Sequence, residues 1–194
     1  MTASKRSLVE RFIVAAFVVP LFLGGCAAGT NMIAKDAKPP LAVKSDRAVL
    51  VIVRTTSFMG GYVVNNYLDG KLIGQTQFKS YFTTDVKPGT HYVISRADNT
   101  DAARINFEAG RIYFLQQGIY PGWNATTRYS PMTLNDAKKE LAEASYLIYD
   151  TQRPGNDMSD KDFKEAKGDF EKENKEDPTR YKDVIEYKGH KLSK

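Results

Sequence analysis

Arg47-Ala48-Val49-Leu50-Val51-Ile52-Val53-Arg54 decides the fold. Six apolar residues follow one another without a polar break, and four of them are β-branched. A strand with one wet face alternates apolar with polar. A continuous run this short predicts a strand covered on both faces, because it is too short for a buried helix. Such a strand belongs in the middle of a sheet, with neighbours on both edges and material above and below.

The residues downstream supply the neighbours. Gly61 to Leu68 reads as a second strand. It ends at Asp69-Gly70, a dipeptide suited to the positive φ that a type I′ hairpin turn needs at both central positions. Lys71 to Gln77 pairs back, and Tyr81 to Val86 runs to the turn at Pro88-Gly89. Thr90 to Ala97 is the next strand. Arg104-Ile105-Asn106-Phe107-Glu108 alternates, which turns Ile105 and Phe107 toward the core. Ala109-Gly110 leads into Arg111 to Gln117, with Ile112 and Phe114 expected inward, and Thr126 to Leu134 is the last strand. Turn signals about every 8–12 residues, with no helical period between them, predict an antiparallel β-sandwich of about 7–8 strands rather than a βαβ sheet.

After residue 134 the period changes. Asn135 is a good N-cap, Asp136 complements the positive end of a helix, and Ala137 to Ala144 is rich in helix formers. One helix is expected over 135–149, laying Leu134, Ala137, Leu141 and Ile148 on the sandwich and completing a domain over 47–150. Residues 151–194 hold 11 basic and 11 acidic side chains and read as a charged C-terminal extension. Ser159 would cap a second helix that Pro178 stops. Phe163 and Phe170 fall at helical spacing on it. Its bland reading is a solvated helix with a frayed tail; its sharper one is a partner-binding helix using Phe163 and Phe170.

Upstream, Lys5, Arg6 and Arg11 precede the apolar stretch Phe12 to Leu23, then Gly24, Gly25 and the only cysteine, Cys26. This is the layout of a bacterial lipoprotein signal, with 1–25 as the signal peptide and cleavage between Gly25 and Cys26. The Cys26 thiol would carry the lipid, and acylation of its new amine would satisfy the need for two anchoring signals. An incidental thiol after an ordinary signal, or an uncleaved membrane anchor, would be the alternatives. The apolar run is shorter than the roughly 20 residues a span requires. Residues 26–46 contain Pro39-Pro40 and no period, so a flexible tether of roughly 25 Å is expected.

From residue 26 onward there are 25 Lys and Arg against 22 Asp and Glu. This balance, without a basic run, gives no nucleic-acid footprint. With Cys26 lipidated no thiol is left for disulfides or metal. The two histidines, His91 and His190, are too few for a histidine zinc site, so no metal and no cofactor is expected. Neither a Ser-His-Asp arrangement nor a cluster of carboxylates is legible, and no catalytic residue is assigned. Tyr120-Pro121-Gly122-Trp123-Asn124 is the one segment that invites a ligand. Tyr120 and Trp123 in a loop can stack on sugars or fill a partner's pocket, or Trp123 can fold back to cap the sandwich.

Tyr67-Leu68-Asp69-Gly70-Lys71-Leu72-Ile73-Gly74, Tyr81, Val86-Lys87-Pro88-Gly89-Thr90-His91 and Glu108-Ala109-Gly110-Arg111-Ile112-Tyr113-Phe114 form a pattern. With the leading Ala48 to Arg54 strand, it resembles the bacterial lipoproteins of domain of unknown function 2846. In its Asp-Gly and Pro-Gly turns it also resembles PEGA-type β-domains. The resemblance covers about residues 45–135 and implies a β-sandwich at the cell envelope, with no activity attached. Residue Ala27 in place of Asp resembles an outer-membrane sorting signal, which implies a body facing the periplasm. The expected function is a lipid-anchored, non-catalytic structural or protein-interaction module, held to the bilayer by acylated Cys26 and docking an envelope protein. A glycan- or peptidoglycan-binding module using Tyr120 and Trp123 is the alternative. A secretion-assembly lipoprotein, similar in architecture only, is the second alternative.

Overall fold

The computed structural model describes residues 30–55, 61–120 and 125–192. Among these, ten strands form two sheets, flanked by helices. The strands are β1 (Met32–Lys35), β2 (Ala48–Arg54), β3 (Val64–Leu68), β4 (Lys71–Thr76), β5 (Ser80–Val86), β6 (Gly89–Arg96), β7 (Thr100–Phe107), β8 (Ile112–Tyr120), β9 (Thr126–Pro131) and β10 (Ser145–Tyr149). The helices are α1 (Leu134–Glu143), α2 (Asp160–Glu176) and the short α3 (Lys182–Ile185). One sheet runs β1-β10-β5-β2-β8-β9 and the other β4-β3-β6-β7. The molecule is mainly β, a sandwich with C-terminal helices, as the turn pattern predicts.

All seven residues of β2 are buried. Ala48, Leu50 and Ile52 face the second sheet among Phe82, Ile105, Phe107, Tyr113 and Leu115. Val49, Val51 and Val53 face the opposite way, into a second cluster with Tyr81, Ile112, Phe114, Met132, Ala137 and Leu141. That outer cluster lies under α1, and Leu41 and Val43 pack against it. The layers are therefore α1, the six-stranded sheet, the four-stranded sheet and α2. The apolar run is continuous because it serves two cores.

The same doubling corrects one sequence expectation. Ile112 and Phe114 point to the α1 side, while Tyr113 and Leu115 point between the sheets. Alternation cannot orient a strand whose two faces are both apolar. Ile105 and Phe107 face the core as predicted. The hairpin after β3 also has the predicted turn, with φ of 50° at Asp69 and 83° at Gly70. The sheets are mostly antiparallel, but β2 pairs parallel with β8, and β5 with β10.

Three segments differ from expectation. Helix α1 starts at Leu134, capped by Thr133, whose Oγ1 accepts from the Asp136 N–H, so Asn135 is inside it. It ends at Glu143, and Ser145-Tyr146-Leu147-Ile148-Tyr149 is a strand: aromatic and branched residues in alternation, with Leu147 inward. Ile148 is thus on β10 rather than on a helix face.

The expected tether is structured from Thr30 onward. Thr30 Oγ1 and the Asn31 N–H both donate to Gln75 Oε1, and β1 pairs antiparallel with β10. Lys38 Nζ donates to the Leu141 and Ala142 carbonyls at 2.8 and 2.7 Å, closing the C-terminus of α1 with a cation.

The expected frayed tail is packed. Ser159 caps α2 as predicted. Phe170 is 2% exposed, with its ring centroid 4.8 Å from Tyr181 and 6.0 Å from Tyr92. Phe163 is half-buried and meets Tyr92 edge-on at 6.4 Å. Beyond α3, the His190 N–H donates to the Ile112 carbonyl at 2.7 Å, and the Ile112 N–H donates back to the His190 carbonyl. An amphipathic helix beside a sheet face with its own apolar residues has a partner within the chain.

Candidate functional site

Gly25, Cys26 and Trp123 lie outside the described residues. Tyr120 ends β8 and is 50% exposed. Its ring lies over Gly118, where a Cβ would meet the Tyr120 hydroxyl at 2.9 Å. A glycine two residues back therefore gives the aromatic ring its seat. Phe163 and Phe170 are spent on packing inside the chain.

Next to this end of β8, one carboxylate joins two loops. Asp98, in the turn after β6, accepts from the Tyr62 hydroxyl and from the Ala125 N–H at 3.1 Å. The Asn99 side chain accepts from the Thr127 N–H at 3.2 Å. Tyr62 and Ala97 pack on Val64, Ile119 and Ala125 beneath. The Tyr62 hydrogen bond, then the Ala125 N–H, hold the Asp98 carboxyl below its ordinary range. The segment after β2 and the start of β9 are thereby fastened to one turn, and Tyr120 stands beside them. Arg54, fully buried at the end of β2, donates to the Tyr62 carbonyl.

Deeper between the sheets lies a polar layer. The Gln117 side-chain amide donates to Asn66 Oδ1 at 2.7 Å, the Tyr129 hydroxyl donates to the same oxygen, and Thr76 donates to Gln117. Ser95 and Thr127 share a hydroxyl bond at 2.6 Å. These groups come from both sheets, so the layer fixes how the sheets register against each other.

Asp101, opposite Ser95 in the β6–β7 ladder, is 8% exposed. Burial pushes its carboxyl up to about 7, against the opposing pull of Arg128 and Arg180. Arg128, Arg180, Asp183 and Glu186 line a groove of about 530 Å³ at this edge. The burial of Asp101 is a feature that sequence reading missed. In the sequence Asp101 is one acid among ordinary turn and strand residues, and nothing there announces its burial.

His91 lies on β6. Its Nδ1 is 2.5 Å from an Asp69 carboxylate oxygen and its Nε2 is 2.9 Å from the Lys87 carbonyl. Both ring nitrogens thus tie the Asp69-Gly70 turn to the Pro88-Gly89 turn. His190 Nε2 bonds to the Met132 carbonyl at 2.9 Å. Among the described residues no group of three or more His, Cys, Asp and Glu is placed to hold a metal ion. Among them, too, no helix is long and apolar enough to cross a membrane.

These features define a class: a two-sheet sandwich whose polar side chains are largely engaged in joining its own sheets and turns. The particular family follows from residues 44–132, which match the model of a protein family of unknown function, DUF2846, so the chain carries a domain of that family over this segment. The match covers β2 to β9. Those eight strands make two four-stranded sheets, β5-β2-β8-β9 and β4-β3-β6-β7. No match is found among the curated proteins or the solved structures.

Proposed function

We propose that this chain is a bacterial envelope lipoprotein, attached through acylated Cys26 to the outer membrane and facing the periplasm, whose sandwich is a non-catalytic module that docks an envelope protein. The observation that carries the reading is the N-terminal order of charge, apolar stretch, Gly24-Gly25 and Cys26. Support for a non-catalytic role comes from the polar groups themselves. His91, Asp98 and the Asn66–Gln117–Tyr129 layer are each engaged in bonds that hold turns or sheets together.

The test is membrane fractionation of the full chain beside Cys26→Ser, followed by crosslinking in cells. Membrane attachment that depends on Cys26, with one dominant protein captured, supports the reading. Attachment unchanged in Cys26→Ser refutes the anchor. A secretion assembly is one identity the captured protein could have.

The half-exposed Tyr120 ring favours one second reading, a module that stacks a glycan or peptidoglycan sugar at the Tyr120–Trp123 loop. Binding of purified cell-wall glycan that is lost in Trp123→Ala, with unchanged thermal stability, would select it over protein docking.

A further inference from the structure

Between Cys26 and Thr30, the first described residue, there are four Cα-to-Cα steps, which reach at most about 14 Å when extended. Thr30 and Asn31 are not free to lengthen that reach. Both bond to Gln75, and the Asp150 N–H donates to the Asn31 carbonyl at 2.7 Å. If Cys26 carries lipid, Thr30, two residues ahead of β1, sits within that distance of the bilayer surface.

What this edge presents is unusual for the molecule. In the β1–β10 ladder Ile33 stands opposite Ile148 and Lys35 opposite Tyr146, and residues directly opposite share a face. Met32 and Leu147, on the other face, are buried in the core. The outer face of the same sheet is covered over β2, β5 and β8 by α1, Leu41 and Val43. Tyr146 on β10 still packs at the margin of that cluster, and beyond it, over Ile33 and Ile148, the cover stops. Ile33 is 37% exposed, Ile148 is half-buried, and neither joins a core cluster. Tyr146 stacks on Tyr81 at 5.1 Å, and Lys35 is exposed beside it. Two isoleucines, a tyrosine and a lysine make the mixture that suits a headgroup boundary: apolar bodies with polar ends, and a cation toward anionic lipid.

We propose that the outer face of the β1–β10 ribbon, through Ile33, Lys35, Tyr146 and Ile148, rests on the lipid surface beside α1, so that this edge of the sandwich meets the membrane. The proposal depends on the lipid-anchor reading. The occupant is lipid because the link of at most about 14 Å keeps Thr30, just ahead of β1, near the bilayer, and because Ile33, Ile148 and Lys35 match the chemistry of its headgroup boundary. In this pose β8, with Tyr120 at its end, lies four strand spacings, roughly 19 Å, across the sheet from β1. Helix α2 is on the opposite side of the sandwich.

The experiment uses full-length lipidated protein, with a single nitroxide at Ile33→Cys or, as control, at Lys172→Cys on α2. The acylated Cys26 offers no competing thiol. The protein is reconstituted in vesicles of phosphatidylethanolamine and phosphatidylglycerol. Accessibility to membrane-soluble oxygen is compared with accessibility to a water-soluble nickel chelate. The proposal expects an oxygen-to-nickel ratio several-fold higher at residue 33 than at residue 172. Equal ratios at the two sites overturn it, and low accessibility to both reagents at residue 33 also overturns it, since that is burial against protein. Vesicle attachment is scored first, with Cys26→Ser in parallel. If attachment does not depend on Cys26, the anchor reading falls and the proposal falls with it. If attachment does depend on Cys26 while the ratios are equal, only the orientation is wrong.

Discussion

Asp101 offers a sharp test of the packing between the sheets. Its carboxyl titrates near 7 in the folded chain against an ordinary value of 3.8, because burial disfavours the charged form more than Arg128 and Arg180 favour it. A folded-state pKa above the unfolded one means that the folded chain binds the extra proton between about pH 4 and 7. The stability from this group is fully present below the unfolded pKa and is lost as pH rises through the folded one. A gap of about 3 units at about 1.36 kcal/mol each sets an upper scale on the order of 4 kcal/mol. Asp101→Asn keeps the shape of the neutral carboxyl and cannot ionise.

The expected result is that the two proteins unfold alike near pH 4. The variant then gains on the wild type as pH rises, by up to about 1.4 kcal/mol per pH unit at the steepest point, and levels off above pH 7. Urea unfolding of the chain from residue 26, carrying Cys26→Ser in both proteins, reads the difference directly. Asp98, Asp150 and Asp177 are held below their ordinary range and slope the opposite way, but they are common to both chains and cancel. A difference flat from pH 4 to 8 would refute the burial argument. So would a variant less stable than wild type at pH 8.

Two further substitutions probe the C-terminal strap. Phe170→Ala removes a ring that is 2% exposed and should destabilise the chain by about 3–5 kcal/mol, read as a lower urea midpoint. An unchanged midpoint would mean that α2 is not docked on its own sheet. Gly189 has φ of 63°, and a Cβ there would lie 2.9 Å from the Ile112 carbonyl oxygen. Gly189→Ala should therefore cost about 1–3 kcal/mol and release the tail, seen as faster amide exchange at Ile112 and His190. Unaltered exchange there would count against the tail's pairing with β8.

The parts of the fold visible in the sequence are those where local chemistry and tertiary position agree. Ala48 to Val53 has one reading as a strand, Asp69-Gly70 one reading as a turn, and Ser159 one reading as a cap. What is hidden depends on partners distant in the chain. Ser145 to Tyr149 follows a strong helical stretch, and only the edge of β5 and the β1 segment turn it into a strand. Met32 to Lys35 is four residues without a period, and it becomes a strand by pairing with β10. Phe163 and Phe170 lie at helical spacing, but the sequence does not say that Tyr92 and Tyr181 wait for them. The candidate site divides the same way. Tyr120 stands at an exposed end, as expected of a strand running into a Pro-Gly loop. Asp98 and Asp101 have roles fixed by neighbours 27 and more residues away or by burial, which no local pattern encodes.

The boundary of the family segment bears on function. Residues 44–132 alone make a four-on-four sandwich, but that unit would leave β5 as an open edge and apolar side chains bare on both outer faces. Every element outside the segment closes one of those openings. The β1–β10 ribbon pairs with β5, α1 covers Val49, Val51 and Phe114, α2 covers the β6–β7 side, and His190 extends the sheet beside Ile112. Unpaired strand edges invite unspecific pairing with other chains. Among the described residues the large apolar side chains these covers leave exposed are Ile33 on β1, Phe78 after β4 and Tyr120 at the end of β8. With Thr30, two residues ahead of β1, only four steps from Cys26, lipid attachment would bring Ile33 toward the membrane, and the Tyr120 end, across the sheet, would be left to meet a partner.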